Sequence, residues 1–206
     1  MRRQLDAIAS ALPLTAVVRL SLDHMSDSIM EGRSKPTSLI LRAVAKLSVG
    51  EQQLHRDIMT RAYGLASEET EARVRVCVIL ASGEGLSAEL EALTVARGAL
   101  AELLAMLSSV PSSSAPAQQI AGAEERLERV ERRLTEARAE LRQLTDEHPI
   151  AAYAGRLGEL EEALAGAGLG PESVPALLMA PMELWAETRD EHIPGLMAAA
   201  AVTLGA

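Results

Sequence analysis

Apolar residues recur every three or four positions along most of the chain, which is the spacing of one face of an α-helix. Beyond Pro13, a residue suited to a first helical turn, the intervals between apolar residues are four, four, three and four. This stripe predicts a helix that runs from the proline to about Gly32, a glycine placed as at a helix end. The members of the stripe are Leu14, Val18, Leu22, Met25 and Ile29.

Serine residues ahead of apolar stripes mark the predicted starts of the next helices. A short helix is expected through Leu39, Ala43 and Leu47. Ser48 and Glu51 then have the spacing of a capping box, which predicts a new helix with Leu54, Ile58 and Leu65 toward the core. That helix is expected to stop near Gly64. The expected first caps of two further helices are Ser67 and Ser87.

The segment VRVCVIL, residues 74–80, is the strongest candidate for a strand, because three valines alternate with arginine and cysteine. The alternation does not continue, and no second segment offers a strand for pairing. An unpaired strand would leave its backbone hydrogen bonds unmade, so a buried helix is predicted here. The glycines of GEG (83–85) are interpreted as a helix end and a turn.

A serine-rich and proline-rich stretch, SSVPSSSAPAQQ at 108–119, is the clearest boundary in the chain. Such a composition does not hold a helix, which predicts a linker or a crossover loop. The sequence therefore predicts an α-helical bundle domain over residues 1–111. A coiled-coil and helical-hairpin region with short C-terminal helices is predicted over residues 112–206.

Residues 120–148 carry apolar side chains at alternating intervals of three and four, kept over four heptads. A helix of this length is about 43 Å long at 1.5 Å per residue. Its apolar seam gains from the hydrophobic effect only if another surface covers it. The predicted contact residues of the seam are Leu127, Val130, Leu134, Ala137, Leu141 and Leu144.

Several surfaces could cover this seam. Pro149 ends the helix, and a second stripe through Tyr153, Leu157, Leu160 and Leu164 could fold back as an antiparallel hairpin. That partner spans only about 25 Å and would leave the N-terminal half of the seam bare. A second copy of the chain is the favoured covering, which predicts a homodimer. Docking on the N-terminal domain and binding to another helical protein are the alternatives.

The C-terminal forty residues are marked by prolines, each of which is expected to begin a helical turn: Pro171, Pro175, Pro181 and Pro194. The segment PMELWAETRDEH is predicted to be a short helix with Trp185 facing inward. The final segment PGLMAAAAVTLGA is predicted to be an apolar helix. It is too short to cross a bilayer and is expected to be buried in the fold or in an oligomer interface.

Composition and charge limit the possible core, binding partners and cellular location. The 206 residues include no Phe, one Trp and two Tyr, so aliphatic side chains must fill the core. The net charge of −9 disfavours general binding of polyanions. Cys77 is the lone cysteine and is expected to be a buried, inert thiol. Without a disulfide, a signal peptide or a membrane span, the sequence predicts a cytoplasmic, soluble protein.

Catalytic and metal-binding motifs are missing from the sequence. None of His24, His55, His148 and His192 has a Glu three residues before it, as the metal sites of helical bundles require. HExxH and GxSxG motifs do not occur, and the glycine pairs follow helices rather than strands. We therefore expect no enzymatic activity, no metal and no cofactor.

A basic segment at residues 33–61 offers a different function. It holds six Lys and Arg residues against two acidic residues, and a short helix followed by a capped helix is the arrangement of a helix-turn-helix. The fit is imperfect, since Lys46 would stand where the motif has a small residue and Glu51 where it has an apolar one. The residues expected to contact nucleic acid are Arg33, Lys35, Arg42 and Lys46.

Together these patterns predict an all-α protein: a multi-helix N-terminal bundle, a long heptad-patterned helix, a helical hairpin and short C-terminal helices. The predicted function is that of a non-enzymatic scaffold, adaptor or structural component, for example of a particle or virion, that self-associates through its heptad helix or binds another helical protein. A dimeric DNA-binding protein is the alternative, and membrane binding is not expected.

Overall fold

The computed structural model describes residues 2–32, 37–109, 117–146, 148–195 and 198. Over these residues the chain is helical and has no strand, which confirms the all-α prediction. A 3₁₀ turn at Pro171–Ser173 and a π-helical turn at Thr188–His192 accompany the α-helices. The α-helices are α1 (Arg2–Ala11), α2 (Leu14–Glu31), α3 (Ser38–Val44), α4 (Val49–Ser109), α5 (Ala117–Asp146), α6 (Ala151–Gly166) and α7 (Ala176–Glu187).

The bounds of α2 follow from the residues at its two ends. Pro13 precedes its first turn, and its carbonyl accepts hydrogen bonds from Ala16 and Val17. Gly32 ends it in the left-handed conformation, with φ of 69°, and its N–H donates to the carbonyl of Ser28. A residue with a side chain is strained at such a φ, which explains glycine at this position. Both ends were predicted and are confirmed.

A capping box begins α4, as predicted. The Glu51 carboxylate accepts hydrogen bonds from the backbone N–H of Ser48 at 2.8 Å and from its hydroxyl at 2.7 Å. The backbone N–H of Glu51 donates in return to Ser48 Oγ at 3.3 Å. These bonds favour the ionised carboxylate, so the pKa of Glu51 is lowered.

Helix α4 continues for 61 residues, so the predicted interruptions inside it are wrong. Gly64 does not end a helix, Ser67 and Ser87 do not begin one, and residues 83–85 lie within the helix. The hydroxyl of Ser67 donates to the carbonyl of Gly64 at 2.7 Å instead of capping a helix end. A glycine inside a helix costs only about 0.5–1 kcal/mol, which the packing of its neighbours can offset. Residues 74–80 are helical, as predicted, but the prediction that this helix is buried is wrong, since Val74 and Val78 are 54% and 57% exposed.

The packing groups the chain into two compact units. The first unit comprises residues 1–76 and 150–185, and the second comprises residues 77–149 and 186–206. The division predicted from sequence, 1–111 and 112–206, stays a prediction about independent folding. Its boundary falls between α4 and α5, inside the second unit.

The core of the first unit includes two sets of buried residues. Ala9, Val17 and Ala43 bring α1, α2 and α3 together, with Leu12, Leu39, Val44 and Leu47 around them. The predicted stripe of α6 is buried as well: Tyr153, Leu157, Leu160 and Leu164. Ion pairs join α6 to α4, between Glu159 and Arg61 at 2.7 Å and between Arg156 and Glu68.

Tyr153 fixes the position of α7 against α6 within the first unit. Its hydroxyl donates to the carbonyl of Leu178 at 2.8 Å in a buried setting. Burial, with the nearby carboxylates of Glu69 and Glu68, raises the pKa of Tyr153 to about 12. The phenol therefore stays protonated and keeps its donor role across the physiological pH range.

The C-terminal prolines play different parts. Pro171 begins the 3₁₀ turn and Pro175 precedes α7, but Pro181 lies inside α7, so the prediction that it begins a helical turn is wrong. Trp185 is buried, as predicted. Most of the final apolar segment, residues 196–206, lies outside the described residues. In the part of the chain described, no helix is both long enough and apolar enough to cross a membrane.

Candidate interaction surface

The heptad seam of α5 lies against α4 of the same chain. Leu134, Ala137 and Leu141 are fully buried in one cluster with Leu90 of α4. Leu86 and Leu93 of α4 and Val130 of α5 pack around this cluster. The covering of the seam is therefore a helix that precedes the serine-rich stretch, one of the alternatives considered above.

This packing removes the premise on which self-association through the seam was predicted. That prediction assumed that the seam was too long to be covered from within the chain, and at Leu134, Ala137 and Leu141 it is covered. Leu127, nearer the start of α5, is half-buried. Leu144, also half-buried, lines a small cavity with Ile79 and Leu80 of α4. A second copy would find little of this seam exposed.

A bidentate ion pair fixes α5 to α4 beside the buried cluster. Arg133 donates from Nε to Glu89 Oε1 at 2.7 Å and from Nη2 to Glu89 Oε2 at 2.8 Å. Its Nη1 donates to Glu140 at 2.8 Å. Hydrogen bonding to Arg133 lowers the pKa of Glu89, and the two carboxylates raise the pKa of Arg133. The planar guanidinium matches a carboxylate in this geometry, which fixes the register of the two helices.

An exposed, uncharged face runs along α4 on the side turned away from α5. Residues two positions from Leu90, such as Ala88 and Ala92, are rotated by about 200° from it. The face spans about 43 Å at 1.5 Å per residue. All ten of its residues are exposed. We call this the α4 face, and its residues are Cys77, Val78, Ala81, Gly85, Ala88, Ala92, Val95, Ala99, Leu103 and Met106.

Large apolar side chains on the α4 face are open to solvent. Met106 is 60% exposed, Val95 74%, Val78 57% and Leu103 38%. Alanine and glycine lie between them, so a partner helix could approach closely. An exposed apolar surface of this length is typical of an interaction site.

Acidic residues follow one edge of the α4 face. Glu84, Glu91 and Glu102 are exposed and lie on one side of the α4 face, about 60–80° around the helix from its centre. No ion pair to these three carboxylates is formed within the described residues. The edge therefore presents negative charge beside an apolar surface.

Cys77 belongs to this face, so the prediction that it is buried is wrong. Sequence analysis missed the α4 face because α4 also carries apolar residues on the side that packs against α5. The signal was present in the sequence, as uncharged residues at intervals of four, four, three, four, three, four, four and three from Cys77 to Met106. Their mean interval matches the 3.6-residue turn of a straight helix.

Of the four residues expected to contact nucleic acid, Arg42 and Lys46 lie in the described part of the chain. Arg42 pairs with Asp6 of α1, and Lys46 is exposed after α3. Arg33 and Lys35 lie outside the described residues. Arg61, farther along the same segment, is paired with Asp57 and Glu159.

A groove in the first unit is formed by α2, α3 and the start of α4. It consists of two adjoining cavities of about 270 and 490 Å³, which share Val44, His55, Met59 and Tyr63. The smaller cavity is lined in addition by Ser21, His24, Ile40 and Leu41, and the larger one by Gln52, Arg56 and Thr60. Leu41 and Tyr63, at its rim, are 58% and 52% exposed.

Two hydrogen bonds close the floor of the groove. Ser21 Oγ donates to the carbonyl of Val17 at 2.9 Å and lies 2.9 Å from His55 Nε2. Because the hydroxyl has a single hydrogen, the ring nitrogen is the donor in the second bond. Burial lowers the pKa of His55, so its ring is neutral at pH 7 with the hydrogen on Nε2. The serine is thus engaged with the backbone and not activated as a nucleophile.

Metal binding has no support among the residues that the structure describes, where no group of three or more His, Cys, Asp and Glu side chains is placed to hold an ion. No family model, curated protein or solved structure matches this chain. Any functional assignment therefore depends on the surfaces described above.

Proposed function

We propose that this protein is a non-enzymatic, helical interaction protein and that it binds a partner helix along the α4 face. The observation that carries the proposal is the exposure of Val78, Val95 and Met106 on one uncharged surface about 43 Å long. Covering this surface with a second helix is favourable, because it removes apolar side chains from water.

The charges favour a partner with basic flanks over a second copy of this chain. In an antiparallel pair of α4 faces, the acidic edge would lie against itself and bring Glu91 beside its own copy. In a parallel pair, Glu84 would face Glu89, whose carboxylate is already bound by Arg133, so this arrangement would form no favourable charge pair. A helix with lysine or arginine beside its apolar stripe would instead form favourable pairs with Glu84, Glu91 and Glu102.

The size of the surface suits a specific complex of moderate affinity. A helix pair about 43 Å long and 10–12 Å wide buries on the order of 1,000 Å² in total, near the lower limit for specific interfaces. The acidic edge would raise the rate of association and the selectivity for a basic partner more than it would raise the affinity. We therefore expect binding that weakens as salt concentration rises.

A designed peptide tests this proposal. The probe is a fluorescent 30-residue helix with alanine and leucine on one face and lysine on both flanks, and its matched control has glutamate in place of lysine. Fluorescence anisotropy should detect binding of the lysine peptide only. Val95→Arg should weaken binding at least tenfold, because it places a charge in the middle of the face. Val49→Arg is the matched control, since Val49 is 85% exposed at the start of the same helix.

Other results would contradict the proposal. Equal binding of the two peptides, or equal loss with Val49→Arg and Val95→Arg, would show that the α4 face does not select a basic helix. A solution mass that doubles with concentration, and returns to that of a monomer with Val95→Arg, would identify a second copy as the occupant. The alternative as a DNA-binding protein gains no support from the placement of Arg42, which is paired with Asp6.

A further inference from the structure

The groove between α2, α3 and α4 has the construction of a ligand site. Its cavities of about 270 and 490 Å³ are comparable in volume to small-molecule sites, which measure roughly 300–1,000 Å³. The wall of the smaller cavity is mainly apolar, whereas four of the seven residues that line the larger one are polar: Gln52, His55, Arg56 and Thr60. This combination is typical of sites that hold an apolar molecule and orient it with one or two polar contacts.

The buried polar groups in the wall of the groove need no polar group from a ligand. Ser21 and His55 satisfy each other there, and the Ser21 hydroxyl is engaged with the carbonyl of Val17. Around this floor lie Ile40, Val44 and Met59. A hydrocarbon body could therefore lie between α3 and α4 without leaving a buried donor or acceptor unpaired.

A cation lies at the rim of the same groove. Arg56 lines the larger cavity, is exposed, and donates from Nη1 to the neutral amide of Gln53 at 3.0 Å. No carboxylate within the described part of the chain pairs with it. Arg61, five residues farther along α4, contrasts with it, since Asp57 and Glu159 both bind that guanidinium. Arg56 thus keeps donors that suit an incoming carboxylate.

We propose that this groove binds a small carboxylic acid with an apolar body, such as a medium-chain fatty acid. Arg56 binds the carboxylate at the rim, and the hydrocarbon lies between Leu41 and Val44 of α3 and Met59 of α4. Tyr63, whose ring lines both cavities, covers the apolar body from the solvent side. This site is separate from the α4 face and does not depend on the function proposed for that face.

Decanoate is the probe, and decanol is its uncharged counterpart of the same chain length. Methyl-labelled NMR of the full chain should show saturable shifts at Met59, Leu41 and Val44 on addition of decanoate, with a Kd below 1 mM. Decanol should bind at least tenfold more weakly. Arg56→Gln should weaken decanoate binding about tenfold, because a charge-assisted hydrogen bond is lost. Arg75→Gln, an exposed arginine paired with Glu71, is the control and should leave binding unchanged.

Leu41→Asp is a second variant that tests the apolar wall. Leu41 is 58% exposed, so folding should tolerate the change, while a carboxylate there would repel the ligand. Three results would overturn the proposal. The first is a set of NMR shifts that do not saturate below 1 mM decanoate, as expected if the groove instead holds a peptide. The others are equal affinity for decanol and unchanged affinity for decanoate in the Arg56→Gln protein. Val95→Arg should not alter decanoate binding, so failure of one proposal is distinguishable from failure of the other.

Discussion

Leu134 of α5 packs against Leu90 of α4, and the two side chains are only 2% and 1% exposed. Each apolar side chain enclosed in this way contributes about 1.5–3 kcal/mol relative to exposure in water. The contact joins two helices that are separated in sequence by the serine-rich stretch. It also determines which apolar surface of α4 remains free, since Leu90 and the α4 face lie on opposite sides of the helix.

Truncation of Leu134 should destabilise the protein strongly. Leu134→Ala removes buried methyl groups and leaves a cavity beside Leu90, so the free energy of unfolding should fall by about 2–5 kcal/mol. Urea denaturation followed by circular dichroism measures this change. Met106→Ala is the control on the α4 face, where Met106 is 60% exposed and a change within about 0.5 kcal/mol is expected. Similar losses in both variants would contradict the described burial.

Two serines, one just before α4 and one inside it, should respond differently to the same substitution. Ser48→Ala removes the two bonds that the Ser48 hydroxyl makes with Glu51, leaves the backbone bond of residue 48 to the carboxylate, and should lower the free energy of unfolding by about 1 kcal/mol. Ser67→Ala changes a serine inside the helix to the best helix former, so stability should be unchanged or slightly raised. Thermal unfolding of the two variants makes the comparison. A large loss with Ser67→Ala would mean that a helix begins at that residue.

The bounds of several helices could be predicted because their signals are local. Pro13 and Gly32 mark the ends of α2, and the capping box of Ser48 and Glu51 marks the start of α4. The continuity of α4 could not be predicted in the same way. A glycine such as Gly64 is a local signal for a helix end, but its cost of about 0.5–1 kcal/mol is smaller than the gain from burying one leucine.

The candidate surface was the harder part to predict, because periodicity identifies apolar faces without saying which of them is covered. Helix α4 carries one apolar face around Leu90 and another around Val95. The seam of α5 covers the first, and this choice depends on a contact between residues 44 positions apart in sequence, such as Leu90 and Leu134. Cys77 was expected to be buried for the same reason: its apolar neighbours indicate burial, while the rotation of the helix exposes it.

Burial of the His55 ring should make stability depend on pH near neutrality. Burial lowers the pKa of His55 below its ordinary value of 6.5, so the unfolded chain binds the proton more readily. The free energy of unfolding should therefore fall as pH decreases from about 7 through 6.5 toward the lowered pKa, and level off below it. Denaturation at closely spaced pH values measures the slope.

His55→Gln is the matched variant for this pH dependence. The glutamine amide can still donate to Ser21, but it does not titrate, so the slope between pH 7 and the lowered pKa should become smaller. Ser21→Ala should weaken the protein without abolishing the slope, because burial of the ring is its main cause. An unchanged slope in the His55→Gln protein would assign the pH dependence to other groups.

The ion pair between Glu89 and Arg133 should make stability depend on pH in a more acidic range than His55 does. Because Arg133 lowers the pKa of Glu89, the folded state favours the ionised carboxylate, and this contribution to stability is present above the ordinary carboxyl pKa of 4.5. It is lost as pH falls from about 5 through the lowered pKa. Glu89→Gln keeps the size of the side chain and removes the charge, so the variant should lose less stability than the native protein over that acidic range.

Salt provides an independent test of this pair. Both side chains are about one third exposed, so added salt screens their attraction, and the difference in stability between the native protein and Glu89→Gln should shrink at 1 M NaCl. Glu125→Gln is the control, because Glu125 pairs with Arg129 on the surface of α5 alone, at 3.3 Å. Its effect should be smaller, since an exposed pair within one helix contributes only about 0.3–0.5 kcal/mol. Equal effects of the two variants would mean that Glu89 does not fix α4 against α5.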